Sequence, residues 1–221
     1  MRISAAVSGA LAVLLLVLVA VGWSPLLSFD RDVAEALHRS AVAHPGFTHL
    51  NRILTDWVWD PWTMRALVLV MVGLLLRRRA WPLALWVAGT SLLAWGLQQG
   101  LKSLVDRPRP QWPDPVDSAR YASFPSGHAM TATVTFGLLL WVLALYWRET
   151  WRGWGTIAGV AVVSVLGVGW TRLYLGVHWP SDVLGGWLFG WCCVAVAIDA
   201  YRRLAARTRT RARTAPPVGK A

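Results

Sequence analysis

Charge is what this chain has little of: 15% of its 221 residues are Asp, Glu, Lys or Arg, against about 25% in soluble domains. Acidic side chains are the scarcer kind, 11 against 22 basic ones. Cysteine is almost missing, and Cys192 and Cys193 are neighbours inside an apolar run, so no disulfide framework can join distant elements. Collagen-like, disordered and disulfide-rich secreted classes are thereby excluded. What fills the chain is apolar: 56% hydrophobic residues and 16 tryptophans, with mean hydropathy +0.45. That composition belongs to a membrane protein, in which indole rings anchor at the water–lipid interfaces.

A helix needs about 20 apolar residues to cross the hydrocarbon core. Six stretches qualify, at approximately 4–23, 58–76, 80–100, 128–147, 153–171 and 182–201, which predicts an all-α, six-transmembrane helix bundle. The second stretch is the weakest, because Asp60 and Arg65 must sit at an interface or inside the bundle, and Arg65 is expected to snorkel. The first also resembles a secretory signal peptide, with Met1-Arg2, an apolar run and then the small residues Ala20 and Gly22; its removal would leave the sidedness of later spans unchanged. No internal repeat is evident. Gly155 with Gly159, and Gly186 with Gly190, place small residues one turn apart on the fifth and sixth spans, where helices can approach closely.

A formal charge of +11 would suit nucleic acid if the basic residues were spread among aromatic ones, but no such motif is present. They cluster instead. Arg202, Arg203, Arg207, Arg209, Arg211 and Arg213 lie in a tail, 202–221, that reads as basic, disordered and cytoplasmic and suits anionic lipid. Placing both termini in the cytoplasm puts Arg2, Arg77 to Arg79, Arg148, Arg152 and that tail with Lys220 inside, as the positive-inside rule requires. Lys102, Arg107, Arg109 and Arg172 fall on the outer side, at the mouths of spans, and need a separate explanation.

Three outer segments hold polar groups that an ordinary loop would not need: Lys102 to Pro110, Pro125-Ser126-Gly127-His128, and Thr171-Arg172 to His178 and Asp182. Lys102, Arg109 and Arg172 are three cations, two of them planar forks that match phosphate oxygens. Ser126 and Gly127 precede a helix whose first N–H groups lack partners, an anion site that glycine lets a ligand approach closely. The pattern asks for a tetrahedral, multiply charged group. Any one of these residues is also explained as an interfacial anchor, but anchors need no pairing of two histidines with an aspartate four residues after one of them. A His-His-Asp zinc site is another reading, disfavoured by three cations that would repel a divalent metal.

In order and spacing the three segments resemble the signature of the type 2 phosphatidic acid phosphatase family, which shares its site with vanadium haloperoxidases. The signature is Lys, six residues, Arg-Pro; then Pro-Ser-Gly-His; then Ser-Arg, five residues, His, three residues, Asp. Thr171 stands where the signature has serine. The resemblance covers roughly residues 80–201, making these the phosphatase core, with 1–79 an N-terminal membrane region of two spans and an outer loop.

The resemblance implies an integral membrane phosphatase with its active site at the extracytoplasmic helix ends. It implies His178 as the nucleophile that forms a phosphohistidine, Asp182 as the group orienting it, and His128 as the acid that protonates the leaving oxygen. Lys102, Arg109, Arg172, Ser126 and Gly127 would hold the phosphate, and no metal or cofactor is expected. The substrate would be a lipid phosphate or diphosphate in the plasma membrane: phosphatidic acid, phosphatidylglycerophosphate or a polyprenyl diphosphate such as undecaprenyl diphosphate, its tail chosen by a groove among the first three spans. A soluble phosphoester, or anion binding and transport without catalysis, are the other functions these residues allow. Haloperoxidase relatives are soluble, which six spans argue against.

Overall fold

The computed structural model describes residues 1–147 and 153–214, without the side chains of 147 and 208–214. Arg148, Arg152 and Lys220, assigned to the cytoplasm above, lie outside the described residues, as do the side chains of Arg209, Arg211 and Arg213. Among the described residues the fold is entirely helical. The elements are α1 (Arg2–Ala20), α2 (Ser24–Ala43), α3 (Pro45–Ile53), a π-helical turn (Leu54–Val58), α4 (Pro61–Arg77), α5 (Trp81–Val105), α6 (Gly127–Trp147), α7 (Trp154–Tyr174) and α8 (Pro180–Thr214).

Local chemistry sets the boundaries. Gly22, at φ +69°, ends α1: its N–H reaches the Val19 carbonyl at 3.2 Å while the N–H of Trp23 reaches Leu18 at 3.0 Å, the paired closure that a left-handed residue permits. At α4, the Asp60 side chain accepts the N–H of Trp62 and Pro61 occupies the first turn, a position where its missing N–H costs nothing. The charged pair that weakened the second span is thus accounted for: Asp60 caps the helix, and the Arg65 guanidinium lies 4.7 Å from the centre of the Trp62 ring.

Five stretches are long and apolar enough to cross a membrane among the described residues: Arg2–Ala20, Pro45–Arg77, Gly127–Tyr146, Trp154–Tyr174 and Pro180–Arg207. The stretch expected as the third span is α5, a helix of 25 residues that is not one of these five. It falls short in hydropathy because Trp81, Trp86, Trp95, Thr90, Ser91, Gln98 and Gln99 dilute its leucines. Its outward side is nonetheless apolar, with Leu85, Leu92 and Leu93 all more than half exposed.

Around α8 the bundle closes: α6 and α1 both pack along it, and α7 and α5 touch it from the sides. Phe124, Met130, Val134, Leu138, Phe189, Val194 and Ile198 fill the contact with Ala12 and Leu15 of α1. Of the two glycine pairs, one is a close contact. A Cβ on Gly186 would stand 2.7 Å from the Ser126 carbonyl, and one on Gly190 2.9 Å from the Thr133 Cβ, whereas Cβ atoms on Gly155 and Gly159 would meet nothing within 4 Å among the described residues.

Two expectations are corrected. Residues 202–214 continue α8 as helix where a disordered tail was expected: Leu204, Ala205, Ala206 and the arginines are good helix formers, and no proline intervenes before Pro216. The outer loop of the first region is largely α2 and α3. The α2 helix buries Asp30, Ala34, His38 and Ala41, a helical spacing along one face.

Candidate active site

All three motif segments arrive at one end of the bundle, because each sits where a helix starts or stops. Lys102 lies in the last turn of α5, His128 in the first turn of α6, Arg172 in the last turn of α7 and Asp182 in the first turn of α8. Arg109 is carried by the connection between α5 and α6, and His178 by the short one between α7 and α8.

His178 and Asp182 are both fully enclosed, at 1% and 0% exposure. The His178 Nδ1 lies 3.3 Å from Asp182 Oδ2, and that same oxygen accepts the Trp179 N–H at 2.9 Å. An acidic side chain three residues into a helix, reaching back to the N–H ahead of it, is half of a capping box. Helix initiation at Pro180 and imidazole orientation are therefore one arrangement. The other ring nitrogen, Nε2, faces Arg109 Nη1 at 3.0 Å. With a guanidinium able only to donate, Nε2 carries the lone pair and Nδ1–H donates to Asp182.

Arg109 is itself fixed by backbone: Nη1 donates to the Val177 carbonyl at 2.6 Å and Nε to that of Tyr121 at 2.9 Å. Lys102 donates to the Ala122 carbonyl. Arg172, 4% exposed, donates to Thr55 Oγ1 at 3.1 Å and lies 3.7 Å from Asp117 Oδ2, while its Nε has no partner. The Ser126 hydroxyl is likewise buried without a partner; its N–H is held by the Asp182 carbonyl at 2.9 Å. Gly127 packs closely against the amide of Gln98, where a Cβ would stand 2.8 Å from Nε2 and push that side chain aside. His128 lies within electrostatic reach of Arg172, His178, Arg109 and Lys102, groups drawn from the other two segments.

Burial, and then the positive charges of Arg109, Arg172 and Lys102, hold the His178 imidazole well below the ordinary histidine range. Burial and the neighbouring Arg172 lower Arg109 to about 10, which leaves it charged at neutral pH. Thr171, the position that departs from the signature, turns its hydroxyl to the Val168 carbonyl of its own helix at 2.9 Å and not toward the histidines. No three His, Cys, Asp or Glu side chains among the described residues converge as metal ligands would.

A model of the PAP2 superfamily matches residues 79–205. The chain belongs to this superfamily. Among curated PAP2 relatives, phosphatidylglycerophosphatase B of Bacillus subtilis is 30% identical over 160 residues, covering 71% of this chain and 77% of that protein. Decaprenylphosphoryl-5-phosphoribose phosphatase of Mycobacterium tuberculosis is 33% identical over 173 residues, 76% of this chain and 88% of the relative. The crystal structure of the transmembrane PAP2-type phosphatidylglycerolphosphate phosphatase from Bacillus subtilis superimposes with a TM-score of 0.69 at 23% identity, over 88% of this chain and 96% of that one, which shows a shared fold.

Beyond the PAP2 motifs the site holds groups that sequence reasoning passed over. Arg107 donates from Nη1 to Asp182 Oδ1 and to Ser181 Oγ, both at 2.7 Å, and from Nη2 to Asp30 Oδ2 at 2.7 Å. Its guanidinium also lies 5.6 Å from the Trp179 ring centre. Arg107 was visible only as one of the clustered outer cations. Asp30 could have been flagged by the helical spacing of Asp30, Ala34, His38 and Ala41, which puts an acid on the apolar face of a helix.

Proposed function

We propose that this PAP2 membrane protein hydrolyses a lipid phosphomonoester or diphosphate through a phosphohistidine, without a metal, at the extracytoplasmic surface. The observation that carries the reading is the His178–Asp182 pair set among Lys102, Arg109 and Arg172. An anion receptor needs the cations, but has no use for an oriented, neutral imidazole.

In the proposed reaction His178 Nε2 attacks phosphorus in line. The N–P bond forms as the bond to the leaving oxygen breaks, and His128 gives that oxygen its proton. Asp182 stabilises the positive charge that develops on the ring, as a carboxylate does behind a catalytic histidine. His128, now neutral, takes a proton from water as the water attacks phosphorus; inorganic phosphate leaves and both histidines return to their starting states. Lys102, the two guanidinium forks and the N-terminus of α6 receive the nonbridging oxygens, where positioning and electrostatics do most of the catalysis. The unpartnered Ser126 hydroxyl and Arg172 Nε support this, since buried polar atoms are ordinarily satisfied and phosphate oxygens would satisfy both.

The lipid tail has a place to go. A cavity of about 810 Å³ opens between α4, α5 and α6, walled by Leu69, Val72, Leu92, Trp95 and Met130, with Gln98 and Arg65 among its polar residues. Gln98, which lines the cavity, also packs against Gly127, one side chain away from the turn proposed to bind phosphate. The first span lies elsewhere, against α8; the groove among the first three spans becomes one among α4, α5 and α6.

The deciding experiment measures phosphate release by purified protein in detergent, with chelator, from phosphatidic acid, undecaprenyl diphosphate and glucose 6-phosphate, beside His178→Ala. Release from a lipid that resists chelator and disappears in the variant is the expected result. Release from glucose 6-phosphate alone would move the substrate to a soluble phosphoester. Undiminished release by His178→Ala would remove the nucleophile assignment.

A further inference from the structure

Asp30 is the one acidic side chain of α2 that is fully buried, at 0% exposure, and it lies outside both the signature and the matched region 79–205. Four hydrogen-bonding arms converge on the ground between it and Asp182. Arg107 bridges the two carboxylates at 2.7 Å on each side. The Ser181 N–H donates to Asp30 Oδ1 at 2.9 Å, and the Ser181 hydroxyl donates to Asp30 Oδ2 while accepting from Arg107. An acid placed on an amphipathic helix for solubility would face water; this one points inward, across 151 residues of chain, to the turn between the two motif residues His178 and Asp182.

We propose that Asp30 is a positioning residue for the phosphotransfer step, acting through Arg107 and Ser181 on the carboxylate of Asp182. The proposal rests on the phosphohistidine reading above. Asp182 has two oxygens with different duties: Oδ2 faces the His178 ring and the Trp179 N–H, and Oδ1 faces Arg107. A guanidinium spent wholly on Oδ1 would draw negative charge away from the oxygen that must support the imidazolium-like phosphohistidine. By taking the other end of the fork, Asp30 divides that positive charge between two carboxylates and leaves Asp182 more basic toward His178. It also locks the guanidinium plane, which sets where Oδ1 sits, and pins Ser181 in the first turn of α8. None of its contacts is with a group that would hold phosphate: Lys102, Arg109 and Arg172 bond to other residues, and the Ser126 N–H is held by the backbone carbonyl of Asp182 and not by its side chain.

That separation gives the test. In detergent, kcat is measured on the lipid phosphate that the wild type turns over fastest, together with the inhibition constant of inorganic phosphate, for wild type, Asp30→Asn and Ser181→Ala. Asp30→Asn keeps the shape and removes the charge. It is expected to lower kcat about 10- to 100-fold, the scale for groups that orient a functional side chain from behind, while phosphate inhibition stays within about twofold of wild type. Ser181→Ala, which removes the two hydrogen bonds of the hydroxyl and no charge, is expected to lower kcat by a smaller factor with phosphate inhibition again unchanged. A general structural role would move both quantities together, and that result, or wild-type kcat in Asp30→Asn, overturns the proposal. If Asp30→Asn does not fold, Ser181→Ala decides: unchanged kcat there overturns it. A wild type that releases phosphate while Asp30→Asn does so equally well defeats this inference alone; a wild type that releases none from any lipid defeats the proposed function with it.

Discussion

At the scale of single residues, the site is a concentration of like charge that would fly apart without its fixed partners. Arg109 and Arg172 are held by backbone carbonyls, Thr55 and Asp117, so both forks are aimed before any phosphate arrives. Arg172→Lys should therefore keep the charge yet lose at least an order of magnitude in kcat/KM, because one ammonium cannot reproduce two parallel N–H donors; wild-type kinetics in that variant would take Arg172 out of the site. The same cations, behind the larger effect of burial, keep His178 neutral when folded. Unfolded, it binds a proton below about pH 6.5, so the unfolded state carries more protons there and stability must fall as pH drops through that value. The facing groups are Asp182 from α8, Lys102 from α5, His128 from α6, Arg172 from α7, and Arg107 and Arg109 from the α5–α6 connection. Melting temperature followed from pH 7.5 to 5.5 should decline less steeply in His178→Gln than in the wild type, and parallel declines would sink the idea. These residues could be singled out in the sequence because cations, histidines and an aspartate recur there at a fixed spacing, and the fold brings them to one end of the bundle. Asp30 offered a weaker signal, an acid in helical register with Ala34, His38 and Ala41, and nothing in that register names Arg107 as the group it faces.

At the scale of elements, the α6–α8 contact does more than close the core. Gly186 sits against the carbonyl of Ser126, and Gly190 against Thr133, so the distance between these helices sets where the Ser126-Gly127 turn stands relative to Asp182. Gly186→Ala should force the two apart, costing about 1–3 kcal/mol as overpacked contacts do and reducing activity. Gly155→Ala, with open space around it, should leave both melting temperature and phosphate release unchanged; equal damage from the two would mean the close approach is not what positions the turn. The sequence pattern of small residues one turn apart was the same in both helices. Only the partner across the interface distinguishes them, and a partner is not written in the pattern. The long apolar helices were legible from composition alone, whereas α2 and α3 hid in the segment between the first two, their apolar faces shortened by Asp30 and His38.

At the scale of the whole molecule, the distribution of charge sets the orientation proposed here. Arg2, Arg77, Arg78, Arg79, Arg202, Arg203 and Arg207 gather at the end away from the site, and Arg2 and Arg203 both pair with Asp199 there. With that end in the cytoplasm, trypsin added to intact spheroplasts should leave the arginine-rich end of α8 uncut and should trim it once the membrane is opened; trimming from outside would invert the topology. The order of the helices has a consequence for how such a molecule comes into being. Ser181 and Asp182 belong to α8 and His178 to the connection that leads into it, whereas Asp30 and Arg107 belong to segments synthesised before them. Until the ribosome has delivered α8, the Asp30–Arg107 pair lacks Ser181 and the carboxylate of Asp182. The proposed active centre therefore cannot assemble before α8 inserts, and a chain released ahead of that helix carries the cations without the His178–Asp182 pair.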